Sequence, residues 1–295
     1  HGDEPVSPRF LFELVRHLEA DLSDPLLRLA TLRIVPDANP DAHAKNEAWW
    51  QDGEGVGNLP SYLMHRVREL PGDDLEFGFP GAPEGEPGVR PEAAAVARFL
   101  SAQGPLDLHG SLHGLGFGGG PWFLVESSWE DRLAPYRARC LEAVAREGLT
   151  VHDVDRRGEK GFRRISEGFC TRPDSLSMRN HFLSQNDPET AALFRPSSME
   201  FARSLGGDPF TFVSEIPLFL TPVPDDPAWK IRLAAWTSHL IRADREGRWK
   251  DETELVESEA RAWGVLPMPL AVQDRLLDVQ VRAAVDLVAK TRGTR

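Results

Sequence analysis

Cysteine is nearly missing from this sequence: Cys140 and Cys170 are the only two among 295 residues. That excludes a disulfide-stapled scaffold and a cysteine-rich metal centre, and it fits a reducing, cytoplasmic setting. Basic residues are in deficit as well, with 34 Lys and Arg against 46 Asp and Glu. A net charge of −12 argues against a broad cationic face for nucleic acid. No apolar run reaches the ~20 residues that a membrane helix needs. The longest candidate, FTFVSEIPLFL over 210–220, is too short and holds a glutamate. The opening residues have neither an initiator Met nor the basic, apolar and small-residue regions of a signal peptide. They are read as the downstream part of a longer chain.

What is present has the composition of a globular protein, 41% hydrophobic and 27% charged. Residues 8–22 carry apolar side chains at helical spacing, with Ser7 as N-cap. ATLRIVP (30–36) reads as a short buried strand that stops at the turn signal PDANPD. Gly-rich residues 51–60 and the Gly, Pro and acid-rich stretch 70–91 read as surface loops. Helices are predicted over 91–102, 130–148, 175–185 and 197–207, and strands over 104–110 and 209–219. HGLGFGGGPW (113–122) reads as a flexible loop. Alternating strands and helices predict an α/β fold. Three helical patterns after Pro227 predict a C-terminal appendage, dividing the chain into 1–221 and 222–295.

His and carboxylate placement suggests a metal site. His1 and Glu4 are three residues apart, so a helical turn or tight loop can aim both at one point. His109 ends a short strand, where open α/β sheets build their sites. Asp107, two residues earlier, is a candidate to orient that imidazole, and Gly110 permits close backbone approach. His113 is a rival ligand on the following stretch. Three such ligands plus water make a catalytic zinc site.

Taken in order, these pieces resemble the zinc carboxypeptidase family of metallopeptidases. HGDE resembles its first zinc motif, His-x-x-Glu, and ANPDA (38–42) its Asn-Pro-Asp turn. RPEAAAVARFL (90–100) resembles the helix preceding the third ligand, LDLHG (106–110) the third-ligand strand, and FTFVSEIP (210–217) the strand of the catalytic glutamate. The resemblance runs over roughly 1–220. It implies one zinc ion on His1, Glu4 and His109, with Glu215 as general base. It implies an oxyanion-stabilising arginine, for which Arg66 and Arg68 both stand. It also implies an α/β fold with a mixed, mostly parallel sheet and helices on both faces, and places sheet strands ahead of the first zinc motif.

The departures bear on substrate. The family's Asn-Arg pair, which holds a substrate carboxylate, corresponds to Glu76-Phe77 here, and Glu76 is expected to favour a basic group. The position of its active-site tyrosine falls at Phe194, which has no hydroxyl, while Tyr62 and Tyr136 are out of register. Residues 114–122 are expected to wall the substrate pocket and Met199 to floor it. The expected activity is zinc-dependent hydrolysis of a peptide bond. The alternatives are hydrolysis of small N-acyl amino acids, or binding without catalysis on the same scaffold. Neither nucleic acid nor membrane is expected as a partner.

Overall fold

Residues 210–220 are apolar for the most part and rich in aromatic and β-branched side chains, the composition of a strand covered on both faces. The computed structural model bears this out. It describes residues 1–50, 58–81, 88–102, 104–222 and 227–293. Parts of the predicted loops 51–60 and 70–91 lie outside the described residues.

Helices α1 (Val6–Ala20), α2 (Pro25–Leu29), α3 (Pro40–Ala44), α4 (Glu47–Trp50), α5 (Leu59–His65) and α6 (Pro91–Ser101) come first. They are followed by β1 (Leu108–Gly118), β2 (Trp122–Val125), α7 (Ala134–Arg146), β3 (Arg164–Ser166) and β4 (Phe169–Thr171). Then come α8 (Ser175–Ser184), α9 (Pro188–Ala192), α10 (Ser198–Ser204) and β5 (Phe210–Leu220). The last elements are α11 (Pro227–Arg245), α12 (Trp249–Ala262), β6 (Leu266–Pro267) and α13 (Leu270–Gly293). None of the described helices is long and apolar enough to cross a membrane.

The sheet is open and mixed, in the order β1-β5-β2-β4-β3, with β6 pairing the end of β5. β1 and β5 run parallel over their whole length, from Leu108 opposite Phe210 to Gly118 opposite Leu220. β2 lies antiparallel on the other side of β5. Phe210, Phe212, Ile216, Leu218 and Phe219 of β5 are all buried. Burying each such side chain contributes roughly 1.5–3 kcal/mol, so this strand anchors the fold.

Three elements differ from the sequence reading. β1 continues to Gly118, into the stretch 113–122 that the sequence reads as a flexible loop. Its glycines lie close to other groups: a Cβ on Gly110 would meet the Phe212 ring, and one on Gly116 would overlap the Tyr62 hydroxyl. Residues 31–36, read as a strand, belong to no described strand. The third difference concerns residues 222–295. Leu240, Val256, Leu276, Leu277 and Ala284 belong to the same core as Phe210 and Phe212, so the last helices are not set apart from the sheet. Two buried glutamines also join α13 to β5. Gln280 Nε2 donates to the Val213 carbonyl at 3.3 Å, and Gln273 Nε2 to the Pro217 carbonyl at 3.4 Å. Glu215 lies between these two attachment points.

Candidate metal centre

The first four residues form a tight turn closed by the Glu4 amide donating to the His1 carbonyl at 3.0 Å. Gly2 is required there, because a Cβ would overlap the backbone of Ala42 in α3. The Gly2 amide donates to Glu69 Oε1 at 3.0 Å, and the buried Asp3 accepts from Arg66 Nε at 2.6 Å. This turn swings His1 and Glu4 against β1, where the Glu4 stem packs over bare Gly114 at 3.3 Å from where a Cβ would stand. The Gly114 amide donates to Glu4 Oε2 at 3.1 Å.

Alternation along β1 points His109, Ser111 and His113 to one face. The imidazole that reaches His1 and Glu4 is that of His113. Its Nδ1 lies 3.2 Å from His1 Nδ1 and 3.0 Å from Glu4 Oε2. His1 Nδ1 lies 2.9 Å from Glu4 Oε1. Tetrahedral zinc with bonds of about 2.0–2.1 Å sets its donors roughly 3.3 Å apart, close to the spacing between these two imidazoles and between each of them and the Glu4 carboxylate.

The remaining imidazole nitrogens are tied down. His1 Nε2 is 3.2 Å from Asp74 Oδ1. His113 Nε2 is 2.9 Å from Ser111 Oγ and 3.3 Å from Glu76 Oε2. Carboxylates behind ligating imidazoles fix the ring and make its free nitrogen a better donor.

Burial lowers the His1 imidazole, but Glu4 and Asp74 outweigh it and raise its pKa well above the ordinary value. Burial also lowers His113, but Glu4 and Glu76 push it up to about 10. Burial raises the Glu4 carboxyl, yet the two imidazoles hold it well below the usual carboxylate range. Each ring has its own Glu4 oxygen to pair with, at 2.9 and 3.0 Å. Two imidazoles and a carboxylate with converging donors are a ligand set that zinc accepts.

His109 lies outside this cluster. Its Nδ1 is 3.4 Å from Thr211 Oγ1, and burial pushes its pKa down to about 4. Four residues of strand separate it from the turn that carries the other donors. Asp107 does not support it: that carboxylate pairs with Arg292 of α13.

Glu215 stands opposite His113 on one side, in the parallel register of β1 and β5, and opposite Trp122 of β2 on the other. The three side chains form a row across the sheet. Burial raises Glu215 to about 8, against the opposing charge of His113. Trp122 stacks on Phe162 at 5.3 Å.

Glu76 is not open to a substrate amine. Oε1 accepts from the Ser198 amide at 3.1 Å, from Ser198 Oγ at 2.6 Å and from Arg172. Oε2 accepts from Ser111 Oγ at 3.0 Å and faces His113. A carboxylate has about four lone-pair positions, and these are filled. Burial raises Glu76, but Arg172 and His113 hold it below the ordinary range.

Arg172, buried at the end of β4, and Ser198 were not singled out in the sequence. Only the fold brings them to Glu76. Phe77 and Phe194 meet edge to face at 5.4 Å, and Phe194 stacks on Phe182 at 5.3 Å, an aromatic packing unit. Met199 is buried in α10, while Ser198 beside it faces the site. Of the two candidate arginines, Arg66 is held by Asp3 and lies over Tyr62, with Nη1 beside Gly116. Arg68 is exposed. A second group, His1, Glu69 and Asp74, is a brace: Glu69 accepts from Gly2, Asn39 Nδ2 and Leu75 at 2.6–3.0 Å.

Comparison with protein-family models, curated proteins and solved structures finds no match to this chain.

Proposed function

We propose that this chain hydrolyses a peptide or amide bond using one zinc ion held by His1, Glu4 and His113. The observation that carries the reading is the approach of two imidazole nitrogens to 3.2 Å, each within 3.0 Å of an oxygen of Glu4, with both outer imidazole nitrogens fixed. The resemblance of HGDE, ANPDA and FTFVSEIP to zinc carboxypeptidase motifs supports the same reading, with His113 in place of His109 as third ligand.

Zinc, when bound, polarises a carbonyl and lowers the pKa of its water toward ~7. In this reading Glu215 would act as general base, taking a proton from the attacking water and returning it to the leaving nitrogen. Its half-buried position on β5 raises its pKa to about 8, which suits that role. Arg66, fixed by Asp3, is the arginine this reading assigns to an oxyanion. Glu76 serves His113 rather than substrate, and Phe77 offers no donor, so a carboxylate clamp at 76–77 is not part of this proposal.

The test combines metal analysis with substrates. Purified protein should hold one zinc per chain and cleave peptides in a metal-dependent way. Peptides with free and amidated C-termini, set beside N-acyl amino acids, separate a carboxypeptidase from an amidohydrolase. Failure to bind any divalent ion overturns the reading.

A further inference from the structure

Residues 156–162 form a tight turn over the sheet face that carries His113 and Glu215. Phe162, at its end, stacks on Trp122, the β2 partner of Glu215. The Gly158 amide closes the turn by donating to the Phe162 carbonyl at 2.8 Å. The Gly161 carbonyl accepts from Thr171 Oγ1 of β4 at 2.8 Å, and a Cβ at Gly161 would meet Ser177 of α8. Arg157 and Lys160 hold φ at +51° and +56°, the left-handed region that residues with side chains rarely adopt. Such backbone strain tends to cluster at functional sites.

The strained turn presents Lys160 to an aromatic ledge. Its Nζ lies 5.5 Å from the centre of the Phe182 ring. Phe182 stacks on Phe194, and Phe194 meets Phe77, the neighbour of Glu76. Arg68 comes from the opposite side. It lies between Arg66, which holds Asp3 of the donor turn, and Glu69, which accepts from the Gly2 amide. Lys160 is thus tied to the Glu215 side and Arg68 to the His1 and Glu4 side.

The charges here are one-sided. Among the described residues neither the half-buried Lys160 nor the exposed Arg68 forms an ion pair. Their cationic neighbours all do: Arg156 with Glu159 at 3.1 Å, Arg66 with Asp3 at 2.6 Å, and Arg172 with Glu76. Burial lowers the Lys160 amine, and the charges of Arg156 and Arg68 lower it further, against Glu159. Two like charges held within reach of each other repel, and an anion between them relieves that repulsion. In a chain of net charge −12, acids to quench them are plentiful, yet none is placed there.

We infer that Lys160 and Arg68 hold a carboxylate of the substrate from two sides, with Phe182 backing its carbon skeleton. A guanidinium fork matches the two oxygens of a carboxylate, and an ammonium adds a movable point charge. The carboxylate is either the end of a peptide or a side chain near the bond that is cut. Residues 76 and 77 take no part in holding it. The inference rests on the hydrolase reading for what the carboxylate belongs to.

The test measures calorimetric binding of three blocked dipeptides to the metal-free protein, where neither cleavage nor an ion contributes. N-acetyl-Phe-Ala has a terminal carboxylate, N-acetyl-Phe-Glu-amide a side-chain carboxylate, and N-acetyl-Phe-Ala-amide none. One of the first two should bind about 10-fold or more tighter than the third, and which one does so identifies the source. K160M should abolish this advantage, R68M should lower it, and K160R should keep it. Equal affinity for the three, no binding of any, or an advantage that survives K160M or is untouched by R68M overturns the proposal. So does its loss in K160R, which would trace it to the turn and not to the charge. Cleavage is assayed separately on the zinc-loaded protein. Failure of the hydrolase reading then shows as absent turnover, and failure of this inference as absent carboxylate preference.

Discussion

His113 and Glu215 face each other across the parallel β1–β5 pair, one register step joining a candidate ligand to a candidate base. The relationship is enforced by backbone hydrogen bonding, so it does not depend on side-chain rotamers alone. Removing the Glu215 carboxylate should therefore spare the fold and the metal. We expect E215Q to bind zinc as the parent does while losing about 10²–10⁴-fold in kcat. Metal analysis beside steady-state kinetics checks this, and loss of zinc together with activity would point instead to a ligand role.

The two histidines of β1 should separate cleanly. H113A removes one of three donors and should weaken zinc binding by at least about 100-fold, beyond the loss typical of an outer-shell partner. H109A should retain one ion per chain. Competition with a chromophoric chelator gives both affinities.

His109 should also mark the pH profile of the metal-free protein. Its folded pKa of about 4 lies below the ordinary 6.5, so the unfolded chain takes the proton first. The stability this neutral imidazole contributes is present above about 6.5 and is lost as pH falls toward 4. The total loss is on the order of 3 kcal/mol. H109Q should flatten the denaturation midpoint between these limits. An unchanged slope would assign the acid sensitivity to other groups.

Arg172 and Glu76 form a buried pair, so deleting one partner should cost more than deleting both. R172M leaves the Glu76 carboxylate without its cation, with a loss of about 3–5 kcal/mol. R172M/E76Q should recover much of that stability and still bind zinc about 10–100-fold more weakly, because His113 loses its carboxylate support. Urea titrations of the four species in this cycle provide the check.

The sequence made parts of this site legible and hid others for definite reasons. HGDE announced two donors because both lie in one short turn. The helix beginning at Pro91 and the strand bearing Glu215 were visible in their start signals and composition. The length of β1 was not, because glycines at 110, 114, 116 and 118 carry no strand preference. Their role depends on Phe212, Glu4 and Tyr62 arriving from elsewhere. That misreading left His113 as a loop residue and gave its place beside His1 and Glu4 to His109. Residues 31–36 had the composition of a strand but form none among the described residues, because pairing is a property of neighbours. Arg172 and Ser198 reach Glu76 across 96 and 122 positions, a distance no local pattern encodes.

The bare positions of β1 have a further effect on how this protein can vary. Glu4 approaches the strand only because residue 114 has no side chain, and the Tyr62 hydroxyl occupies the place of one at residue 116. A single methyl group at either point would wedge the amino-terminal turn or α5 outward, and the donors with it. Saturation mutagenesis should thus reveal a stripe of intolerance along this strand as severe as that at the donors themselves, in residues that perform no chemistry.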